Sequence, residues 1–437
     1  MTQENAVSCS QFDAIIVGAG PAGCACAYWL AKAGLDVLVA ERGGFAGAKN
    51  MWGGAFYGPV LNELFPEFWR EAPVERPVTR HKYSLLSGGG CLSVDYAHPK
   101  FNMPPYNGFT MFRAKFDAWF AGKVQQAGAI VATGLQADDL LWDGKKVAGI
   151  KAGGDELPAK VVIACDGVNS MMAKKAGLRG ELQPQDIKQG VKEVLRFAPG
   201  VVEERFNLQD GGGIDWEFIG DCTRGLPGGA FIYTNRESLS VGVVVSLKSL
   251  IDQGVRADDL LQDFKRHPAV AGLLEGGELA EYSAHLIPVS GIAMMPSRLY
   301  ADGFLVAGDA AALVLGTGLA LEGANFAVAS GMAAAKTVIK AKQASDFSSN
   351  ALSSYQKLLE GDFVMKDLQT HRLAPHFLEN ERIYTAYPKL ACNFAEKIFT
   401  SDGEPRRKTW ELLKKEMKGT VSFAQMAKDL FDAGRAL

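Results

Sequence analysis

Cysteine is sparse and scattered: Cys9, Cys24, Cys26, Cys91, Cys165, Cys222 and Cys392 are the 7 in 437 residues. An odd number with no Cys-x-x-Cys fits a reducing compartment better than a disulfide framework. An iron–sulfur cluster takes about four cysteines, usually closely spaced, and no such set exists. Cys24 and Cys26 fall two apart on a stretch read below as helix, where they face different ways, so they are not read as a redox pair. Charge excess is lacking too. With 46 Lys and Arg against 49 Asp and Glu the formal charge is −3, without the basic surplus that holds nucleic-acid phosphates, so nucleic acid is not an expected partner. The polar start, Met1 to Gln11, has no basic stretch followed by an apolar core, and no signal peptide is read there. The most apolar region, Gly303 to Ala335, is broken by Asp309, Glu322 and glycines, which argues against a membrane span. The histidines are unclustered and no metal is expected.

Glycine is in surplus: 49 residues against an average usage of roughly 7%. The chain is long enough for two or three domains with a large core, so the glycines mark turns and close backbone approaches rather than low complexity. The clearest set follows a β-branched run, Phe12 to Val17, read as a buried strand. Gly18-Ala19-Gly20-Pro21-Ala22-Gly23 then opens a helix expected over Pro21 to Ala33, and Leu35 to Ala40 is a second strand ending at Glu41. This is the dinucleotide fingerprint in its proper context. The first glycine permits the tight turn, the second lets backbone approach a pyrophosphate, and the third lets helix and strand pack closely. The helix N-terminus supplies amides and partial positive charge for the phosphates. Glu41 is placed to accept hydrogen bonds from the adenosine ribose and to repel a 2′-phosphate.

Further along, Gly43 to Gly58 reads as a long glycine-rich loop. Tyr83 to Leu86 and Cys91 to Tyr96 read as a hairpin, and Arg113 to Ala127 as a helix. Short strands are expected at Ala129 to Thr133, Asp138 to Trp142, Val147 to Ala152 and Lys160 to Cys165. Between about Gln183 and His285 the texture is β, with a helix over Ala257 to Arg266. A strand at Gly303 to Ala307 and a helix from about Gly318 to Ala341 precede a helical tail. The expected fold class is α/β: a Rossmann-like dinucleotide-binding domain over 10–80, 108–182 and 286–345, a sheet-rich substrate domain over 81–107 and 183–285, and a helical region over 346–437.

The fingerprint alone does not separate FAD from NAD. Val161 to Gly167 and Gly303 to Ala311 are each a strand running into an acidic glycine turn, and each alone is an ordinary βα turn. Together, in this order after the fingerprint, they resemble the three FAD-contact motifs of the flavoprotein hydroxylase and reductase superfamily. That resemblance implies Asp309 on the ribityl chain, Gly316-Thr317-Gly318 as a helix start facing the flavin ring, and Arg113 near the cofactor. A helix N-terminus there would stabilise negative charge on the reduced ring. No second strand–GxGxxG–helix–acid unit occurs, so no built-in nicotinamide domain is expected.

A more specific likeness lies in Ala46 to Gly54, Gly228 to Asn235 with Val241-Gly242, Gly308 through Gly331, and Ala395 to Gly403. These resemble the FixC-type branch of the electron-transfer flavoprotein:quinone oxidoreductase family over nearly the whole chain. The resemblance implies one FAD, electrons linked to a two-subunit electron-transfer flavoprotein, a membrane quinone as acceptor, and an iron–sulfur centre carried by a small ferredoxin-like partner. It also implies a cytoplasmic protein that can sit peripherally on the membrane. The expected cofactor-binding residues are Gly18, Gly20, Pro21, Ala22, Gly23, Glu41, Arg42, Ala48, Gly53, Gly54, Arg113, Asp166, Gly167, Gly308, Asp309, Gly316 and Gly318, with no catalytic side chain named. The aromatics Trp52, Phe56, Tyr57, Trp216, Phe218, Phe231 and Tyr233 could wall an acceptor pocket or simply pack the core. The basic segment Arg406-Arg407-Lys408 with Lys414, Lys415 and Lys418 around Trp410 reads as a solvated helix or a docking site on an anionic membrane or a partner. Two other functions fit the same cofactor: a prenyl-lipid ene-reductase resembling geranylgeranyl reductases, and a non-catalytic assembly subunit.

Overall fold

The computed structural model describes residues 11–49 and 53–437. Strand β1 (Phe12–Val17) turns into helix α1 (Pro21–Lys32) and returns as β2 (Val37–Glu41). Strands β3 (Gly53–Tyr57), β4 (Val74–Ser87), β5 (Gly90–Ala97) and β6 (Gly108–Phe112) follow, then helix α2 (Arg113–Gln126). Next come β7 (Ile130–Thr133), β8 (Ala137–Asp143), β9 (Lys146–Ala152), β10 (Asp155–Ala164), β11 (Ile187–Arg196), β12 (Gly213–Gly220), β13 (Gly228–Thr234) and β14 (Ser238–Ser246). Helix α3 (Ala257–Arg266), strands β15 (Glu278–Pro288), β16 (Tyr300–Ala301), β17 (Phe304–Val306), β18 (Leu315–Gly316) and β19 (Leu321–Glu322), and helix α4 (Ala324–Ala344) complete the part that shapes the site. The remainder is helical and ends in α5 (Ala386–Phe399), α6 (Thr409–Met417) and α7 (Phe423–Ala436).

Two sheets organise these elements. The first runs β16-β17-β10-β1-β2-β7, with β1, β2, β7, β10 and β17 parallel and the β8–β9 hairpin attached through β10. The paired centres of its strands are apolar on both faces, as a covered sheet requires, and Ile15, Ile16, Val39, Val162 and Leu305 are fully buried. The second runs β15-β11-β14-β13-β12-β4-β6-β3, with β5 paired on β4. It is mostly antiparallel and has a strict parity. Ile214, Trp216, Phe218, Ala230, Ile232, Val241 and Val243 join α3 residues Leu260, Leu261 and Phe264 in one core, so the intervening positions face the other way. That other face bounds the functional site.

Several elements depart from the sequence expectations. Gly43 to Gly58 is not all loop, because Gly53–Tyr57 pairs with β6; the approach is so close that a Cβ on Gly53 would lie 2.2 Å from the Met111 carbonyl oxygen. The hairpin's first strand starts at Val74, not Tyr83. Its polar stretch hid it: buried Arg76 is satisfied by Nε donating 2.7 Å to the Asn235 carbonyl and by an ion pair with Glu203. The helix expected from Gly318 starts at Ala324. Thr317 Oγ1 accepts from the amides of Leu319 and Ala320 at 3.3 and 3.1 Å, and this local turn closes the β18–β19 hairpin in place of helix. Strand β4 crosses the expected 80/81 division and β15 the 285/286 one, while β3 and β6 join the second sheet.

Helix α5 packs on this second sheet, and α6 packs on α5. The Cys392 thiol of α5 donates 3.4 Å to the Leu85 carbonyl. Asp429 of α7 accepts two bonds from Arg382, at 2.7 and 2.6 Å, and one from the Tyr387 hydroxyl at 2.6 Å. No described helix is long and apolar enough to cross a membrane.

Candidate functional site

A cavity of about 620 Å³ runs from the first sheet's glycine turns to the second sheet. At one end the turn after β1 carries α1 into it. Gly18 has φ +102°, and a Cβ there would lie 2.4 Å from the Cys165 carbonyl oxygen of the turn after β10. A Cβ on Gly23 would lie 1.9 Å from the Gly18 carbonyl oxygen. Both positions therefore demand glycine for packing between neighbouring turns, and the result is an α1 N-terminus with no side-chain cap. Its free first-turn amides and partial positive charge open onto the cavity, which suits a pyrophosphate.

Glu41, at the end of β2, is buried. Its Oε2 accepts from the Ala19 amide at 2.9 Å and its Oε1 from the Gly43 amide at 2.6 Å. The carboxylate thus holds the glycine loop in place, and its remaining lone pairs can still accept from ribose hydroxyls. Opposite Gly20, Arg113 makes a bidentate pair with buried Asp117, Nε and Nη2 each at 2.8 Å. Burial pushes the Asp117 carboxyl up, against the pull of Arg113. The pair sits next to the fingerprint turn and holds a fixed positive group beside it. Asp166 accepts from Ser170 Oγ at 2.6 Å and from the Met172 amide at 3.0 Å, which anchors the turn after β10; burial raises its pKa despite these bonds.

The third turn is held from behind. Ser330 Oγ, on α4, accepts from the Gly308 amide at 2.9 Å and donates to the Ala327 carbonyl at 2.8 Å. Arg179 Nη1 donates to the Ala310 carbonyl at 3.1 Å. Asp309 is thereby presented to the cavity, where Gly323 and Ala324, the uncapped start of α4, also lie.

Of the residues expected at the cofactor, Gly18, Gly20, Pro21, Ala22, Glu41, Arg42, Gly54, Arg113, Asp166, Gly167 and Asp309 line this one cavity. Gly23, Gly53 and Gly308 lie just behind its wall, where they permit the close approaches and the turn already described. Ala48 does not line it, though its neighbours Gly47 and Lys49 do. Gly316 and Gly318 fall on the β18–β19 hairpin rather than at a helix start, and the helix N-terminus facing the cavity is Gly323–Ala324. Trp52, with Asn50 and Met51 of the same motif, and Cys9 lie outside the described residues.

Sequence reasoning missed the wall contributed by the second sheet: Gln189 on β11 and His285 and Leu286 on β15 line the same cavity. Burial lowers the His285 pKa, with Asp309 opposing. It also missed buried Lys192, lowered to about 8 by burial, with Nζ 5.6 Å from the Phe112 ring centroid. A lone histidine and a lysine in alternating strands carry no local signal. The aromatic candidates divide by parity. Trp216 and Phe218 belong to the α3 core and stack on each other at 4.7 Å. Phe231 and Tyr233 stack at 4.6 Å on the opposite face. Phe56 packs against Phe116 at 5.5 Å. In the basic segment, Trp410 is exposed and Lys414 lies over its ring at 5.2 Å. Among the described residues no group of His, Cys, Asp and Glu is arranged to hold a metal ion.

The parallel sheet, three glycine turns on one cavity and a second-sheet wall define an FAD-dependent oxidoreductase. A family model described as "FAD dependent oxidoreductase" matches residues 13–76. The fold agrees with solved structures such as a geranylgeranyl bacteriochlorophyll reductase-like protein from Thermoplasma acidophilum (TM-score 0.74, 21% identity, 97% of this chain and 99% of that one). Within that class the chain belongs to the ETF-QO/FixC family. The model "ETF-QO/FixC family C-terminal domain" matches residues 374–437. The chain is 40% identical over 431 residues to the "Probable electron transfer flavoprotein-quinone oxidoreductase YdiS" of Escherichia coli (strain K12), covering 99% of this chain and 100% of the relative. It is 37% identical over 432 residues to "Protein FixC" of Azotobacter vinelandii, covering 98% and 99%.

Proposed function

We propose that this oxidoreductase takes electrons linked to a two-subunit electron-transfer flavoprotein and passes them to a membrane quinone. The observation that carries this reading is an apolar rim where the site reaches the surface. Leu319 and Leu321 of the small hairpin are 58% and 42% exposed, and Leu321 also lines the cavity. The Leu319 carbonyl accepts from the Tyr83 hydroxyl, and Val94, directly across from Tyr83 in the β4–β5 ladder, is 70% exposed. Exposed apolar side chains continuous with a polar cavity mark an entry for a hydrophobic ligand.

Bound FAD supplies the redox chemistry. The chain's own part is to hold and tune it: the α1 N-terminus and Gly18–Ala22 take the pyrophosphate, Glu41 and Arg42 the adenosine side, Asp309 the ribityl chain, and Arg113 with Asp166 and Gly167 the middle. Gly53 and Gly54 give a flat strand beside it. The uncapped Gly323–Ala324 helix start favours negative charge on the reduced ring and so raises its potential. Electrons reach this chain from outside, through the electron-transfer flavoprotein and a small ferredoxin-like partner that carries the iron–sulfur centre, at the cytoplasmic face of the membrane.

The test is anaerobic. The purified protein is reduced, and its flavin absorption is followed on addition of a quinone or of a geranylgeranyl lipid, while co-purifying chains are identified. Quinone-dependent reoxidation, with an electron-transfer flavoprotein and a ferredoxin-like chain retained, is the expected result. Reoxidation by the prenyl lipid with saturation of its double bonds, and none by quinone, refutes it.

A further inference from the structure

On the second sheet's site-facing side, two carboxylates stand at alternate positions of β12, Asp215 and Glu217, and so share a face. Glu217 Oε1 accepts from the Tyr233 hydroxyl of β13 at 2.8 Å. The two carboxyl groups are close enough for the charge on Asp215 to act on Glu217. His81 Nδ1, on β4, lies 3.4 Å from Asp215 Oδ2. Asp215 Oδ1 is buried and receives no donor among the described residues, a costly state for a carboxylate oxygen. Tyr83 on β4 and Tyr57 on β3 both feel the charges of the pair, and Glu322 on β19 acts on Tyr57. Glu217, Tyr233, Tyr57 and Tyr83 are each partly accessible to solvent yet set deep enough that burial leads their pKa shifts upward. Four polar side chains thus converge on one face of the sheet, and Tyr83 ties them to the apolar rim at Leu319.

Burial and then the neighbouring Asp215 push Glu217 well above the ordinary carboxylate range, with the Tyr233 hydrogen bond opposing. Burial thus favours its protonated form, and a second negative charge close by favours it further.

We propose that Glu217, backed by Asp215, Tyr233 and His81, is the proton donor to an acceptor bound beside these side chains. This rests on the quinone reading: a quinone becomes its hydroquinone by taking two electrons, here from the flavin reductant, and two protons. For each proton the Glu217 O–H bond breaks and an O–H bond forms on a quinone oxygen. The Glu217 carboxylate regains its proton from water through partly exposed His81 and then Asp215, and the second transfer repeats the first. Tyr233 positions the acid and holds its pKa down toward the working range.

The experiment uses the FAD-loaded protein, wild type and with Glu217→Gln or Tyr233→Phe, in three measurements. Infrared spectra at neutral pH are expected to show a carboxylic-acid C=O band, sensitive to D2O, that is lost in Glu217→Gln. The ratio of quinone reduction to reduction of ferricenium, which takes an electron and no proton, is expected to fall about 10²-fold in Glu217→Gln. Tyr233→Phe removes a bond that favours the ionised acid, so the alkaline limb of the quinone pH profile is expected to move to higher pH. No acid band attributable to Glu217, an unmoved limb, or an equal fall with both acceptors overturns the proposal. Wild-type protein that reduces ferricenium but no quinone overturns the quinone reading and the donor role with it, and the infrared band then reports only the acid's protonation.

Discussion

The substitution Gly331→Ala tests how helix packing holds the cofactor turns. Gly331 lies inside α4 where that helix crosses α1, and a Cβ there would stand 2.2 Å from the Ala22 carbonyl oxygen and 3.1 Å from the Ala25 Cβ. Since real Cβ atoms essentially never come closer than 3.0 Å, the helices must part by about 0.8 Å. Overpacking of this kind costs typically 1–3 kcal/mol, against about 1 kcal/mol gained from replacing glycine within a helix. The net runs from about no change to a loss of roughly 2 kcal/mol. The neighbouring Ser330 holds the Gly308 amide, and Gly308 itself is close enough to α1 that its Cβ would be 3.0 Å from that of Ala22. Displacing α4 therefore displaces the turn that presents Asp309. Gly122→Ala is the control: Gly122 lies inside α2, and a Cβ added to it would meet nothing within 4 Å, so only the helix preference acts and stability rises by about 0.5–1 kcal/mol. Thermal melts should separate the two by several degrees, at about 2–4 °C per kcal/mol for domains of 150–250 residues, and flavin content after gel filtration should fall only in Gly331→Ala. A Gly331→Ala protein that melts at or above the Gly122→Ala protein and keeps its flavin refutes the argument.

Two further predictions concern charge. Asp13 is buried, and although burial raises its pKa, hydrogen bonds from Lys160, Lys342 and the Asp36 amide lower it overall to about 2. A carboxylate depressed on folding adds stability above its unfolded pKa and loses it as pH falls through the folded one. The contribution is at most about 2 kcal/mol, less the screening of two lysines that are about a third exposed. The melting-temperature advantage of wild type over Asp13→Ala should be full near neutrality and shrink between about pH 4 and pH 2; a constant advantage would refute it. Asp309→Ala or Glu41→Arg should strip the flavin or weaken it sharply, measured as the 450 nm region absorbance of the purified protein, and full occupancy in both would overturn the assigned contacts.

What could be read from the sequence was local. The turn at Gly18 to Gly23, the helix it opens and the acid Glu41 all follow from spacing within one strand–helix–strand unit, and α3 over Ala257–Arg266 starts and stops where its apolar period does. What was hidden depends on partners distant in sequence. Strand β3 exists because Gly53–Tyr57 finds β6 some way along the chain. The start of α4 was misplaced because Leu319-Ala320-Leu321 has helical apolarity, and the Thr317 turn overrides it. Buried Arg76 resembled a solvent residue until Glu203 and the Asn235 carbonyl came round it. Asp215 and Glu217, alternating with Trp216 and Phe218, have the pattern of an ordinary half-exposed strand; that the polar face is turned inward onto the site is a fact of the sheet's placement.

That inward turn is also what links the second sheet's packing to its chemistry. A one-residue slip of β12 would turn Trp216 and Phe218 to the site face and both carboxylates into the α3 core. Packing on the site face turns on one glycine. A Cβ on Gly242 of β14 would lie 2.4 Å from the Phe231 ring, and Gly242 is paired with Phe231 in the ladder. The gap lets Phe231 lie flat over its neighbour, stacked at 4.6 Å and 18° on Tyr233. Tyr233, held by that stack, points its hydroxyl at Glu217. The glycine at 242 thus reaches the acid through two aromatic rings, so a larger residue there should disturb Glu217 before it disturbs the α3 core on the sheet's far side.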